Sequence, residues 1–493
     1  MPENNNIKSD ELIPVARGQA VVEARQILDR DCRVLSATAT ATVAVSEVFT
    51  GEARYTGKVR FDCMVLADSG VDCVATIAEF SDKIASNDIA VGTDICLVPE
   101  IVNCEAVADG GALKLVAVVD TAALAVRGNA CACADISGND CVYADRKEIE
   151  YCTVVSERSD TVYVNDSLDG IKATEVLCVS AHATVQSAEC MGGEVKISGT
   201  VYSNVVARDD DGLITSFRLV TPFVKSVTAQ GADEGAIAWA SVTVTDAVAS
   251  LVAAETSRIE LAVTLIADVH VFAVNKTEAV CDVFCAENEI ESKRAEIKTV
   301  CVEPQQTVTD IVDGQVKLEP DKLAADTVLC ISGAGVTLSS ATVDNGRVNV
   351  EGLVSGDIIY YNAEKNAVDA LPFKLPFGMP LSIHTDADKA SVTATVTDIS
   401  VRVRRESVFD IKAEIAFTVR LSAENTVCVV ESVTVGEPIP RPDATIIVHI
   451  ARAGETLWQA AKALCCSPDR VTEQNDYATP YAGGERLINF CEK

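Results

Sequence analysis

Apolar and polar residues alternate with period two over most of the chain, and the alternating runs come in pairs. Ile259, Leu261, Val263 and Leu265 share one face of a run; Ile411, Ala413, Ile415, Phe417, Val419 and Leu421 share one face of another. Period two sends successive side chains to opposite faces of a strand, so such pairs predict hairpins with one buried face. Three pairs stand out: 100–107 with 113–126 around Ala-Asp-Gly-Gly, 241–252 with 258–273, and 391–402 with 408–423. Only the end of the chain breaks the pattern. A short apolar run from Ile446 leads into Thr456-Leu457-Trp458-Gln459, which has the Thr-x-x-Gln form of a capping box. Leu457, Ala460, Ala461 and Leu464 follow at helical spacing. Ser467-Pro468 predicts a second helix, with Ser as N-cap and Pro at N1, running to about Asn475-Asp476. After Ala482-Gly483-Gly484, the segment Arg486-Leu487-Ile488-Asn489-Phe490 reads as a closing strand.

The paired runs belong to a longer repeat. Arg33-Val34-Leu35-Ser36-Ala37-Thr38, Glu175-Val176-Leu177-Cys178-Val179-Ser180 and Thr327-Val328-Leu329-Cys330-Ile331-Ser332 open alike. A glycine follows the Leu at Gly51, Gly193 and Gly346, and a second follows six residues later at Gly57, Gly199 and Gly352. Turn positions come next at Gly70, Gly212 and Lys365, then an aromatic landmark at Phe80, Phe223 and Phe377. An interior strand glycine of this kind indicates a bulge or a close backbone approach. The spacing predicts three antiparallel β-sandwich-like units at 11–140, 148–290 and 296–436. Residues 148–169 and 296–319 read as leading strands, and 137–140 and 287–294 as exposed connections. Pro438, Pro440 and Pro442 predict a stiff spacer at 437–444 before a last module at 445–491. Residues 1–10 read as disordered. The fold class expected is mainly β: three repeated sandwich-like domains and a small βααβ domain.

Composition narrows the functional classes. Among 493 residues, 48% are apolar but only 5% aromatic, so Ala and Val carry the burial and favour strands. The net charge is −32, of which the residues from Thr445 onward hold only −1. A body this acidic repels nucleic acid and anionic lipid. Nineteen cysteines at irregular spacings fit a reducing compartment, where Cys serves as a small buried hydrophobe. The N-terminal residues show no signal-peptide pattern, and no apolar run reaches membrane-span length. A cytoplasmic protein is expected.

Candidate chemistry is sparse. Cys131-Ala-Cys133, Cys141 and Cys152, like Cys281 and Cys285, lack the paired Cys-x(2–4)-Cys form of structural zinc, and ordinary thiols are expected. His182 and His270 fall inside alternating runs and read as strand side chains, while His384 and His449 occupy non-equivalent places. No nucleophile elbow, phosphate-binding loop or dinucleotide fingerprint is present. Asp209-Asp210-Asp211-Gly212 lacks the spacing of a calcium loop and reads as a hairpin turn. No enzyme, metal or cofactor is expected.

The tail resembles a LysM domain, carried by Gly454-Glu455-Thr456-Leu457, the helix end near Asn475 and Gly484-x-x-Leu487. That resemblance implies a groove between Gly454, Glu455, Thr456 and Leu457 on one side and Asn475, Asp476, Tyr477 and Ala478 on the other. The plainer role for these residues is architectural: Thr456 caps, Leu457 packs and Asn475 ends a helix. Glu455 stands where Asp is usual, Ala460 where a larger aliphatic is common, and Cys465-Cys466 is unusual; these departures count against glycan affinity. Three β-rich units before one LysM module resemble the SPOCS-domain (DUF3794) proteins of anaerobic endospore formers. The resemblance implies a mother-cell protein at the forespore surface. It would be a non-enzymatic adaptor in spore-coat assembly that docks a coat-basement ATPase (SpoIVA-like) through its LysM domain. Other coat proteins or a second copy are further candidate partners. The alternative is a peptidoglycan-binding protein of wall or cortex, holding N-acetylglucosamine polymers.

Overall fold

In the computed structural model, the described residues are 6–28, 30–134, 136, 142–252, 257–318, 325–362, 364–404, 408–439 and 446–490. The chain is mainly β, as the alternation predicts. The first strands are β1 (Asn6–Ile27), β2 (Cys32–Phe49), β3 (Glu52–Ala67), β4 (Gly70–Ala85), β5 (Ile95–Ala108) and β6 (Ala112–Ala132). They form two antiparallel sheets, ordered β1-β6-β5 and β2-β3-β4. Next come β7 (Val142–Ile171), β8 (Glu175–Met191), β9 (Glu194–Arg208), β10 (Ile214–Thr228), β11 (Ile237–Val252) and β12 (Ser257–Cys285). The same order returns as β7-β12-β11 and β8-β9-β10. It returns again with β13 (Asn288–Val302), β14 (Gln306–Lys317), β15 (Ala325–Asp344), β16 (Arg347–Asn362), β17 (Ala367–His384), β18 (Lys389–Arg404) and β19 (Val408–Pro438). Here the leading strand is split: β13 and β14 both pair with β19, which also takes β18, while β15-β16-β17 forms the other sheet. In each stretch the alternating apolar positions of both sheets share a core. Val185, Ile197 and Leu219 from one sheet, for example, cluster with Val162, Val263 and Ala238 from the other.

The recurring glycine and aromatic residues meet in space. Gly57 pairs with Phe80, Gly199 with Phe223 and Gly352 with Phe377. A Cβ on Gly57 would fall 2.4 Å from the Phe80 ring, one on Gly199 2.5 Å from Phe223 and one on Gly352 2.8 Å from Phe377. On the other side the carbonyls of Thr42, Thr184 and Thr337 approach within 2.9, 2.2 and 2.6 Å of the same point. The ring fills the space that a side chain would take, so only glycine fits beneath it.

Corresponding residues of the three stretches also converge. Leu35, Leu177 and Leu329 belong to one apolar cluster, Ile7, Ile149 and Ile297 to a second, and Leu12, Val154 and Val302 to a third. Polar ties run alongside. Arg60 reaches Asp246 at 3.1 Å, Arg218 reaches Asp398 at 3.3 Å and Arg33 reaches Asp369 at 2.7 Å.

Four expectations need correction. Residues 6–10 are not disordered: they open β1, with Ile7, Ser9 and Asp10 buried. Their polar character misled, because Ser9 Oγ accepts from the Val300 amide (2.8 Å) and Asp10 Oδ2 from the Val154 amide (3.1 Å). Residues 1–5 lie outside the described residues. The segment 287–294 is not a connection beyond Glu287, because β13 starts at Asn288 and pairs with β19. Glu289, Glu291 and Lys293 occupy the outward positions of an alternating strand, and Arg294 is exposed at a register shift. Pro438 ends β19 opposite Asn288 instead of opening a spacer; Pro440 and Pro442 lie outside the described residues. The leading strand of the second stretch likewise starts at Val142, earlier than position 148; residues 137–140 fall outside the described ones. Among the described residues no helix is long and apolar enough to cross a membrane.

Gly199→Ala should destabilise the fold by about 1–3 kcal/mol, because its Cβ meets both a carbonyl and a ring. Urea unfolding checks this, and pairing it with Phe223→Ala should recover part of the loss by removing the ring.

Candidate functional site

The tail folds as β20 (Ile446–Ile450), α1 (Leu457–Leu464), α2 (Pro468–Gln474) and β21 (Arg486–Phe490), in the expected order. β20 and β21 pair antiparallel, Ile446 opposite Phe490. The capping box forms: the Gln459 amide donates to Thr456 Oγ1 (3.3 Å), and the Thr456 amide donates to Gln459 Oε1 (2.9 Å). Ser467 caps α2 through the Arg470 amide (3.1 Å), with Pro468 at N1. Ala460, Ala461 and Leu464 are buried against Val471 and Leu487. Ala460 is fully buried, so its small side chain suits the tight centre of this small core.

The expected groove residues divide into two groups. Glu455 is buried; its carboxylate lies 2.7 Å from His449 Nε2 and accepts from the Arg452 amide at 2.7 Å. Burial alone would raise its pKa, but the Arg452 amide and the His449 ring outweigh that and hold it below the usual value. Asn475 is fully engaged too. Its Nδ2 donates to the carbonyls of Val471 and Ile488 (2.9 Å each), and its Oδ1 accepts from the Ile488 amide (2.7 Å). That side chain fastens the end of α2 to β21. Leu457 is half-buried beside the tail core. By contrast Gly454, Thr456, Asp476, Tyr477 and Ala478 are exposed, Tyr477 at 49%. The two loops are tied directly, since Tyr481 lies in the same α2–β21 connection as Asn475–Ala478: the Gly454 amide donates to its carbonyl (2.8 Å) and its amide donates to the Glu455 carbonyl (2.9 Å).

Sequence reasoning missed how the tail meets the body. Trp458 Nε1 donates to Asp282 Oδ2 (2.9 Å), Lys462 Nζ lies 2.8 Å from the same oxygen, and Arg294 reaches Oδ1 at 2.5 Å. The Trp458 ring stands edge-on to Phe284, 4.9 Å between centroids, and Phe284 in turn packs on Tyr143. Burial would raise the Asp282 pKa, yet donation from Lys462 and Trp458 holds it below the usual carboxylate range. The only signal available beforehand was Trp458 and Lys462 at i and i+4, one face of α1.

Elsewhere, a cavity of about 1080 Å³ is lined by all three stretches, with Thr38, Asp62, Ser180, His182, Ser332 and Asp357 among its walls. Thr38 pairs with Asp62, Ser180 with Asn204 and Ser332 with Asp357 in matching register. His182 is exposed to the cavity, and the surrounding protein lowers its pKa by desolvation. A second polar cluster lies between the stretches. Half-buried Arg420 donates to the Ala240 carbonyl (2.9 Å) and to Gln305 Oε1 (3.0 Å). Burial lowers the Arg420 pKa and raises those of Asp268 and Glu157 nearby. It also lowers that of His270 to about 4, helped by the Arg420 charge. Both His182 and His270 are strand side chains, as expected. Asp209 forms the expected turn, its Oδ1 accepting from the amides of Asp211 (3.0 Å) and Leu213 (2.8 Å).

No family model, no curated protein and no solved structure matches the chain.

Two outcomes follow from this geometry. Asp282→Ala should free the tail from Phe284 and red-shift tryptophan emission, while far-UV dichroism stays unchanged. His270 is neutral when folded, so the unfolded chain binds its proton more readily between pH 6.5 and about 4. Stability is therefore fully present above pH 6.5 and falls as pH drops through that window. The raised carboxyls Glu157 and Asp268 act in the opposite sense, which makes a paired comparison necessary. His270→Gln should lose about 3 kcal/mol less than the parent chain between pH 6.5 and 4, measured by denaturant unfolding at each pH.

Proposed function

We propose that the chain is a non-enzymatic structural adaptor of endospore coat assembly, with three SPOCS-type β-sandwich-like repeats and a LysM-type βααβ tail. In this reading the repeats are the body, and the tail docks a coat-basement ATPase of the SpoIVA type. The strand order that recurs three times supports the repeat assignment, as do the matching Gly–Phe pairs at Gly57, Gly199 and Gly352. The division of labour in the tail loops carries the docking assignment. Glu455 and Asn475 fix the loops from within, while Gly454, Thr456, Asp476, Tyr477 and Ala478 face outward on that fixed frame. Loops positioned by a rigid scaffold are where recognition concentrates, and a half-exposed Tyr beside an Asp suits a polar protein surface.

The test is a binding assay with the full chain, against the purified coat-basement ATPase in one arm and purified peptidoglycan in the other. Capture by the ATPase should weaken about tenfold or more in Tyr477→Ala and Asp476→Lys, whose side chains leave the tail core untouched. Retention on peptidoglycan with no capture by the ATPase would replace the adaptor reading by the glycan-binding one.

A further inference from the structure

Strands β7 and β13 come from different thirds of the chain and bring two cysteines together. Cys152 on β7 is 1% exposed and belongs to the same apolar cluster as Val300 and Val302, the residues on either side of Cys301 in β13. The Cys301 sulfur lies 3.3 Å from the carbonyl oxygen of Glu150, two positions before Cys152. So β7 and β13 pack together beside both cysteines. Both thiols are free in this structure, and Cys301 is the more accessible. We propose that Cys152 and Cys301 form a redox modification site, closed to a disulfide by exchange with a small-molecule disulfide such as oxidised glutathione.

The two thiols are unequal in a way that orders the steps. The neighbouring Cys301 thiol and burial together raise the pKa of Cys152, and the same pairing lowers that of Cys301, which is also the more accessible of the two. Cys301 is thus the attacking thiolate. Its sulfur attacks one sulfur of oxidised glutathione, the S–S bond of the oxidant breaks, and one glutathione leaves as a thiolate that takes up a proton. Cys301 then carries glutathione in a mixed disulfide. Cys152 loses its proton, attacks the Cys301 sulfur and expels the second glutathione, which takes up that proton. Two protein thiols are oxidised and one glutathione disulfide is reduced to two glutathiones. The product links the leading strand of the second stretch to that of the third. In a glutathione-reducing milieu the reverse exchange opens it. This inference does not depend on the adaptor reading.

The full-length reduced protein is incubated with oxidised glutathione under native conditions, free thiols are alkylated, and a non-reducing digest is mapped by mass spectrometry. A Cys152–Cys301 linked peptide is expected as the earliest protein disulfide, together with a melting temperature raised by several degrees. Two results would overturn the proposal: both cysteines recovered alkylated while other cysteines have oxidised, or Cys301 held as the glutathione adduct in the parent chain. Cys152→Ala should trap that adduct at Cys301, and Cys301→Ala should leave Cys152 reduced. The parent-chain map decides the matter even if either variant folds poorly, which circular dichroism checks.

Discussion

The edge strands of the sheets present backbone amides that need partners, and side chains from distant parts of the chain supply them. Ser9 receives the amide of Val300, Asp10 that of Val154, and Gln305 that of Ala240. An unpaired amide in such a place costs as much as a lost hydrogen bond and also exposes an edge for pairing with another chain. The three stretches are therefore not beads on a string. Side chains of one stretch close edges that another leaves open, and the apolar cluster of Ile7, Ile149 and Ile297 lies where the leading strands meet, while Leu35, Leu177 and Leu329 join the other three sheets. The half-buried Arg420, spanning Ala240 and Gln305, belongs to the same system.

Much of this was legible in the sequence because it depends on local period and on glycine. Alternation located the strand pairs, and the six-residue glycine interval marked Gly57, Gly199 and Gly352, each under a ring that the same pattern had already singled out. The capping box and the Ser-Pro helix start were readable for the same reason: both ends of each interaction lie within three residues. What escaped was non-local. Residues 6–10 look like a solvated end because Asn, Lys, Ser and Asp are polar, and nothing local says that two of them answer amides elsewhere. Asp282 looks like any surface carboxylate until α1 arrives against it from 176 residues away.

The candidate site shows the same divide. The resemblance to LysM domains placed Gly454–Leu457 and Asn475–Ala478 on two loops, and the geometry separates what holds those loops from what they present. Glu455 and Asn475, the two with the richest hydrogen-bonding chemistry, are spent on architecture. Glu455 in place of the shorter Asp is understandable here, since its carboxylate spans His449 Nε2 and the Arg452 amide at once. Residues free to meet a partner are the less conspicuous ones, and Tyr477 is the largest of them. The tail is also less independent than its compact pattern suggests, because its Trp458 completes an aromatic stack begun by Tyr143 and Phe284.

The hydrogen bond from the Val300 amide to Ser9 spans 291 residues of chain. A ribosome adding roughly 5–20 residues per second needs about 15–60 s between making one partner and making the other. Within that interval the first strand gains its sheet partner β6, about 100 residues on, but not the contact at its outer end. The nascent protein thus carries an open strand edge until the third stretch emerges, and the beginning of the chain is among the last parts to be sealed.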